Sequence, residues 1–252
     1  MHDLYTVDQV IYAFSPENPV FFAQAIALLL AMSFGLLEYI WATRLALREH
    51  KTPFPVWMHA FMFAHDLTAG IVMLYFGITN DFFWYFMLQG GGMVVWSILE
   101  ITNMRTAIKY ETQETWGSET TKAQSTIYTI ILAAFFLVIV NIMRYLMNDE
   151  AAQLWLPITN IVMAVGPGFI LYHRRSREGS SVMLYIIILA GTIFNFLPQG
   201  LGCFTTALPW IWNQPIYFIV GAVTIAIAVY NLYYICKLPA KPKIEGEKKP
   251  IW

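Results

Sequence analysis

Three acidic residues, Glu38, Asp66 and Glu100, interrupt long apolar stretches of the chain. An ionisable group near the bilayer midplane costs at least about 2.5 kcal/mol on insertion scales, so such groups normally face a bundle interior or a wet cavity. Burial disfavours the charged form of a carboxyl, and a carboxyl that keeps its proton can act as a general acid. We therefore expect these residues to carry the function, with Asp66, near the middle of its stretch, as the leading catalytic residue.

Other polar and aromatic side chains in the apolar stretches are expected to complete a site. His59 shares the helix face of Asp66, whereas His65 directly precedes Asp66 and points to a different face. Aromatic rings can stabilise a cation with their negative faces. The alternatives are that the acids only hold helices together and that the rings form interfacial belts. The expected substrate-binding residues are Glu38, His59, Trp57, Phe63, Trp96, Asn195 and Tyr230.

The composition indicates a bilayer protein, because 58% of the 252 residues are hydrophobic and only 12% are charged. Each stretch long enough to cross about 30 Å of hydrocarbon predicts one helix. The predicted fold is an all-α bundle of seven transmembrane helices, with residues 1–236 as a single membrane domain and 237–252 as a basic cytoplasmic tail. The predicted spans are Val20–Thr43, Pro55–Phe76, Phe82–Met104, Thr126–Met147, Leu154–Tyr172, Ser181–Leu201 and Ile216–Cys236.

The basic residues predict the orientation of this bundle. Fourteen of the fifteen Lys and Arg residues fall in three alternate loops and the C-terminal tail, and Arg144 is the exception. Because cytoplasmic loops collect Lys and Arg, the N-terminus is expected outside the cytoplasm and the C-terminus inside. An acidic, aromatic stretch without a basic n-region precedes the first span, so we expect no cleaved signal peptide. A net charge of −1 indicates no nucleic-acid partner.

Spacings in the two halves of the chain indicate an internal repeat. Asp66 follows Glu49 by seventeen residues, and Asn195 follows Glu178 by the same distance. Glu100 and Asn231 follow Tyr85 and Tyr217 by fifteen and fourteen residues. Spans one to three and five to seven would cross in the same direction, as parallel repeats joined by a fourth span require.

The residue types in the spans argue against a metal or a covalently bound pigment. Only two histidines, His59 and His65, lie in predicted spans, and no cysteine accompanies them, so we expect no metal site. No lysine lies within a span to form a Schiff base with retinal. Cys203 and Cys236 are placed at opposite ends of the bundle and cannot pair. We expect no cofactor.

Three stretches resemble the seven-span membrane-bound terpene cyclases of fungal meroterpenoid and indole-diterpene pathways and their bacterial relatives. Met62-Phe63-Ala64-His65-Asp66 resembles an Asn-Ile-Ala-Trp-Glu-like motif at the end of span two. Arg174, Ser176, Gly179 and Ser180 resemble an Arg, Ser and Gly-Ser stretch after span five, and Asn231-Leu232-Tyr233-Tyr234 resembles an Asp-x-x-Tyr pattern in span seven.

This resemblance implies an enzyme that protonates an epoxide or alkene on a lipophilic, prenylated substrate. The family's acid in span two corresponds to Asp66, whose side chain is shorter than that of the family's Glu by one methylene. The acid of span seven falls on Asn231, which cannot donate a carboxylic proton. Glu100 is then expected to supply the second carboxyl. The catalytic residues that we expect are Asp66, Glu100 and Asn231.

Two other functions are compatible with the same residues. A small-metabolite transporter with two three-helix repeats would use polar groups at several depths, including the Pro198-Gln199 pair, as a path through the bilayer. A non-catalytic membrane subunit would use the buried acids only to hold its helices together. The sequence indicates the lipid bilayer as a partner and leaves the oligomeric state undetermined.

Overall fold

A computed structural model describes residues 4–241 and residue 251. The described part of the chain contains helices and loops but no strand, which confirms the predicted all-α class. The helices are α1 Val7–Ala13, α2 Phe21–Glu49, α3 Val56–Thr79, α4 Trp84–Tyr110, α5 Thr112–Trp116, α6 Lys122–Leu146, α7 Leu156–Arg174, α8 Val182–Asn195, α9 Cys203–Ala207, α10 Pro209–Trp212 and α11 Pro215–Lys237.

Five of the described helices are long and apolar enough to cross a membrane: α2, α3, α6, α7 and α11. Their number and composition are those of a multi-pass membrane protein. The 27-residue helix α4 is not among them, because polar side chains such as Gln89, Glu100 and Asn103 lower its hydropathy. Helix α8 has only 14 residues, because it ends at Asn195 and Pro198 follows in the next turn. The predicted sixth span, Ser181–Leu201, is therefore longer than the helix that the structure shows there.

Local signals explain where several helices begin and end. Thr6 and Thr121 form capping boxes with Gln9 and Gln124, which satisfy the N-cap and N3 backbone N–H groups of α1 and α6. The Ser181 side chain caps α8 by accepting from the Leu184 N–H. Helix α7 has Pro157 in its first turn, where the missing N–H costs no helical hydrogen bond.

The long helices pack in a defined order. Helix α3 packs against α4 and α6, while α11 packs against α7 and α8. Helix α2 lies between these two groups and contacts both α4 and α8. The α3–α4 contact is close at Gly90, where an added Cβ would lie 2.9 Å from the backbone nitrogen of Leu74. A site at the centre of the bundle can therefore receive side chains from both groups.

The loops meet at two ends, which we name by their residues. The N-terminal end contains residues 4–20, 80–83, 147–155 and 196–214, and the basic end contains residues 50–55, 111–121, 175–181 and 238–241. At the N-terminal end, Phe14 stacks on Tyr85 with ring centroids 3.8 Å apart, and Trp84 Nε1 donates to the Phe14 carbonyl. The segment before α2 therefore covers this end of the bundle.

The basic end is tied together by a buried charged cluster around Arg174. Its guanidinium donates to Glu111, to Glu114 at 2.5 Å and to the Thr52 carbonyl at 2.5 Å, and Lys51 also pairs with Glu114. Burial opposes the charged form of Glu114, but the hydrogen bonds and charges of Lys51 and Arg174 outweigh it and lower the pKa of that carboxyl. One side chain thus joins the ends of α2, α4 and α7.

The predicted tail begins where α11 ends, at Lys237. Lys241 donates to Glu49 at 2.6 Å, and the backbone N–H of Ile251 donates to the same carboxylate at 3.3 Å. Residues 242–250 and 252 lie outside the described residues. The described part of the tail therefore packs against the basic end of α2.

Candidate functional site

A small cavity lies at the centre of the bundle, between α2, α3, α4, α7 and α8. Its volume is about 80 Å³, which is room for about two or three water molecules. Side chains that can form hydrogen bonds line it together with apolar and aromatic side chains. The polar side chains in its wall include Glu38, Tyr39, Asp66, Gln89, Asn160 and Asn195.

Both oxygens of the Asp66 carboxylate lie within hydrogen-bond distance of a neighbouring side chain. The Tyr39 hydroxyl donates to Oδ2 at 2.8 Å, and Nδ1 of His65 lies 2.8 Å from Oδ1. The Tyr39 ring is stacked on Trp96 with centroids 5.7 Å apart and an interplanar angle of 12°. Because Tyr39 and His65 fix both oxygens, Asp66 is oriented as a hydrogen-bond acceptor at the wall of the cavity.

Glu38 lies beside Tyr39 on α2 and differs from Asp66 in its surroundings. It is 4% exposed, it lines the cavity, and none of the described residues forms a hydrogen bond or an ion pair with it. Helix α8 passes directly against it, because a Cβ added at Gly191 would lie 2.9 Å from the Glu38 carboxyl oxygen. An isolated carboxyl in such a site is best suited to hold a proton and donate it.

The third acid, Glu100, forms a separate pair with His59 beside the cavity. Both side chains are fully buried, and Nδ1 of His59 contacts one Glu100 oxygen. Glu100 does not line the cavity, but Tyr39 lies close enough to Glu38, Asp66 and Glu100 to interact electrostatically with all three. Tyr39 therefore connects the three carboxyls.

Two amide side chains in the cavity wall have free hydrogen-bonding capacity. The Asn195 amide oxygen and nitrogen and the Gln89 amide oxygen are buried without a partner among the described residues. Buried polar groups are normally paired by protein or by ordered water, and unpaired ones that face a cavity can bind the polar part of a ligand. The cavity can thus recognise a molecule that has hydrogen-bonding groups.

The structure brings only part of the expected site together. Of the ten residues expected from the sequence, Glu38, Asp66, Trp96 and Asn195 line the cavity, and Glu100 and His59 lie next to it. The other four lie outside its wall; these are Trp57, Phe63, Tyr230 and Asn231.

Three of the outlying residues lie on or near the surface. Trp57 is 36% exposed and packs edge-on against Phe169, and Tyr230 is 54% exposed. Phe63 is half-buried on α3. None of these rings can contact a molecule held in the cavity as it stands.

Asn231 belongs to a different contact, between α7 and α11. Its amide oxygen accepts from the Tyr172 hydroxyl, and its nitrogen donates to the Ala164 carbonyl at 3.0 Å. An added Cβ at Gly168 would lie 2.8 Å from the Asn231 oxygen, so α7 and α11 approach closely here. These contacts join two helices and leave Asn231 apart from the carboxyls.

The histidine pairing differs from the expectation. We expected His59 to share the face of Asp66 and His65 to point elsewhere, but His65 contacts Asp66 and His59 contacts Glu100. Consecutive helical side chains diverge at Cβ, but the imidazole of His65 is long enough to turn back to the neighbouring carboxylate.

Sequence reasoning missed Tyr39 and Gln89 as parts of the site. Gln89 has a visible signal, because Gln89, Trp96 and Glu100 recur at helical spacing on one face of α4. The role of Tyr39 has no such signal, because it depends on how α2 is rotated toward α3.

Within residues 4–241 and 251, no group of three or more His, Cys, Asp or Glu residues is arranged to hold a metal ion. The chain matches no family model, no curated protein and no solved structure.

Proposed function

We propose that the protein is an integral membrane enzyme that rearranges a lipophilic, prenylated molecule by proton transfer, as expected of a protein similar to the terpene cyclases. The observation that carries this proposal is the buried, unpaired carboxyl of Glu38 in the wall of an aromatic cavity that also contains the hydrogen-bonded carboxylate of Asp66. An acid and a base thus face one cavity.

The two carboxyls have different roles in the proposed reaction. Glu38 donates its proton to an alkene carbon or an epoxide oxygen of the substrate, which leaves a cationic centre on the prenyl chain. The rings of Tyr39 and Trp96 stabilise this cation with their negative faces while a new carbon–carbon bond forms. Asp66 then removes a proton from carbon, and the product is an isomer of the substrate.

The polar wall residues are proposed to orient the substrate. Gln89 and Asn195 have buried atoms that are free to bind a hydroxyl or carbonyl group at one end of the molecule. A prenyl chain is larger than about 80 Å³, so the proposal requires the cavity to widen on binding. At Gly191, α8 contributes no side chain to its contact with Phe34 and Glu38 of α2, and we place the widening at this contact.

The proposed topology has seven spans, with α4 and α8 crossing the bilayer in addition to the five helices that are long and apolar enough to do so. The polar residues Gln89, Ser97, Glu100 and Asn103 of α4 are buried inside the protein, which allows a less apolar helix to cross. The basic end carries Lys51, Arg174, Arg175 and Arg177, so we assign it to the cytoplasm and the N-terminal end to the outside.

Asp66→Asn is expected to abolish product formation without loss of the fold. Asparagine keeps an oxygen that can accept from Tyr39, but it cannot take a proton from the substrate. The measurement is mass spectrometry of prenylated and epoxidised lipids incubated with membranes that contain either protein. An isomer made only by the wild type supports the proposal. Equal amounts of isomer from both proteins would contradict it, and a change in thermal stability alone would favour a non-catalytic subunit.

A small-metabolite transporter is the second candidate, and the packing order of the helices favours it. In the first half, α4 contacts both α2 and α3; in the second half, α11 contacts both α7 and α8. The halves meet through α2 with α8 and α3 with α7. This correspondence agrees with two three-helix repeats joined by α6, and the cavity lies between them.

Side-dependent access distinguishes the transporter from the enzyme. A carrier must open its central site alternately to both ends, so a cysteine at position 65 or 195 should react with an impermeant thiol reagent from either side, depending on substrate. Both native cysteines must first be replaced, because Cys236 is exposed and Cys203, although buried, lines the same cavity. Labelling from a single side under every condition would count against transport.

A further inference from the structure

We propose that His65 carries protons between Asp66 in the cavity wall and Asp149 at the N-terminal end, so that the enclosed site exchanges protons with one side of the membrane. This inference rests on the proposed role of Asp66 as the proton acceptor. A base buried in a closed bundle must release its proton before the next turnover, and a side-chain relay provides the exit.

His65 has one nitrogen engaged with Asp66 and the other unpaired. Its side chain is 1% exposed, and Nδ1 lies 2.8 Å from Asp66 Oδ1. Nε2 is buried and has no hydrogen-bond partner among the described residues. An imidazole with one nitrogen on the acceptor and the other free can take a proton on one side and release one on the other.

The loop between α6 and α7 places a second carboxyl near this histidine. Although it connects two helices, this loop is buried: Asp149 is 1% exposed and Leu154 is 1% exposed. The ring centroid of Trp155 lies 6.2 Å from that of Phe61, one turn before His65 on α3. The loop thus descends beside α3, and Asp149 lies close enough to His65 for their charges to interact.

Asp149 is held by the segment that covers the N-terminal end. The Tyr5 hydroxyl donates to it at 2.5 Å, and the backbone N–H groups of Gln153 and Leu154 donate to it at 2.8 and 3.0 Å. Burial raises the pKa of the Asp149 carboxyl and outweighs these hydrogen bonds, which lower it. A carboxyl in this state can accept and release a proton nearer to neutral pH than an exposed aspartate.

The transfer balances as a movement of a single proton. Asp66, protonated by the substrate, gives its proton to Nδ1 of a neutral imidazole that carries hydrogen on Nε2, and the resulting imidazolium releases the Nε2 proton toward the Asp149 carboxylate. The distance from Nε2 to Asp149 is bridged by an ordered water in this scheme. After this transfer the hydrogen remains on Nδ1, and rotation of the ring presents the unprotonated nitrogen to Asp66 for the next turnover.

The other ionisable groups around His65 fit this direction of transfer. From α2, Tyr39 donates to Asp66, and from α4, Glu100 interacts with Asp66 and pairs with His59. From the N-terminal segment, Tyr5 donates to Asp149. His59 is the internal comparison, because it is buried and paired with one carboxylate but is not linked to Asp149.

The relay is tested by the rate at which the ring N–H protons exchange with solvent, measured by NMR on protein labelled with ¹⁵N-histidine. The signals are assigned by their loss in His65→Gln and His59→Gln. We expect His65 to exchange at least about tenfold faster than His59, because proton transfer through a positioned acid or base is commonly accelerated by this much or more. His65 exchange equal to or slower than that of His59 would overturn the relay.

The matched variants are Asp149→Asn and Asp8→Asn. The first removes the proton acceptor, keeps Oδ1 for the Tyr5 hydroxyl and the Gln153 N–H, and loses the hydrogen bond from the Leu154 N–H to Oδ2. It should slow His65 exchange about tenfold. The second makes the same chemical change on the exposed surface of α1 and should leave the rate unchanged. An unchanged His65 exchange rate in a folded Asp149→Asn protein would also overturn the relay. If that variant does not fold, the comparison of the His65 and His59 exchange rates in the wild-type protein decides between the outcomes.

This measurement needs no substrate, so its outcome is separate from that of the proposed function. Fast His65 exchange in a protein that isomerises none of the lipids would support the relay and contradict the proposed enzyme activity. Isomer formation together with slow His65 exchange would support the proposed enzyme activity and contradict the relay.

Discussion

Glu38→Gln is expected to lower turnover at least about a hundredfold, the usual contribution of a positioned general acid. Glutamine has nearly the same shape as glutamate, and the Glu38 side chain has no hydrogen-bond partner to lose among the described residues. The amide cannot give a proton to an alkene or an epoxide. The measurement is the initial rate of isomer formation in membranes that contain equal amounts of each protein.

Two controls make this result specific. Glu17→Gln removes an exposed carboxyl at the N-terminal end and should leave the rate unchanged. The thermal midpoint of Glu38→Gln should equal or exceed that of the wild type, because a buried unpaired carboxyl is replaced by a neutral group. Full turnover in Glu38→Gln would exclude Glu38 as the donor and return that role to Asp66.

Arg174→Met is expected to destabilise the folded protein by about 3 kcal/mol, because it removes one partner of a buried ion-pair cluster. Methionine replaces the apolar stem of Arg174 but leaves Glu111, Glu114 and the Thr52 carbonyl without their shared donor. These groups come from two chain segments and Arg174 comes from a third, so loss of the shared donor loosens the entire basic end. The measurement is unfolding of the purified protein in a denaturant titration.

The adjacent Arg175 is the matched control for this variant. It is exposed, so Arg175→Met should change the unfolding free energy by less than about 1 kcal/mol. Equal losses in the two variants would mean that the cluster contributes nothing beyond surface charge. Because the charge change is the same, the difference between the variants isolates the buried contacts of Arg174.

The fold class could be predicted from the sequence because long apolar stretches have few alternatives in a bilayer. The packing of the segment before α2 over the N-terminal end of the bundle could not be predicted. It depends on the contact between Tyr5 and Asp149, which are 144 residues apart. It also depends on a buried loop in which the Asp149 carboxyl accepts hydrogen bonds from Tyr5, Gln153 and Leu154. No local pattern marks a loop that folds into a bundle.

Part of the candidate site could be predicted from the sequence for a simple physical reason. Carboxyls and amides in apolar stretches must face inward, and Glu38, Asp66 and Asn195 do line one cavity. Which of them pair with which neighbours depends on helix rotation, which the sequence does not specify. Tyr39, His65 and the separation of Asn231 from the cavity follow only from the packing of α2, α3, α7 and α11.

The most direct test of proton transfer as the function is the reaction of the wild-type protein with prenylated and epoxidised lipids in D₂O. The proposal predicts an isomer whose mass equals that of the substrate in H₂O. In D₂O the isomer of an alkene substrate becomes heavier by the difference between one deuterium and one hydrogen, because Glu38 delivers a solvent-derived deuteron to carbon and Asp66 removes a hydrogen from another carbon. No isomer from any of these lipids, together with substrate-dependent labelling from both sides at position 195, would contradict the enzyme and establish the transporter.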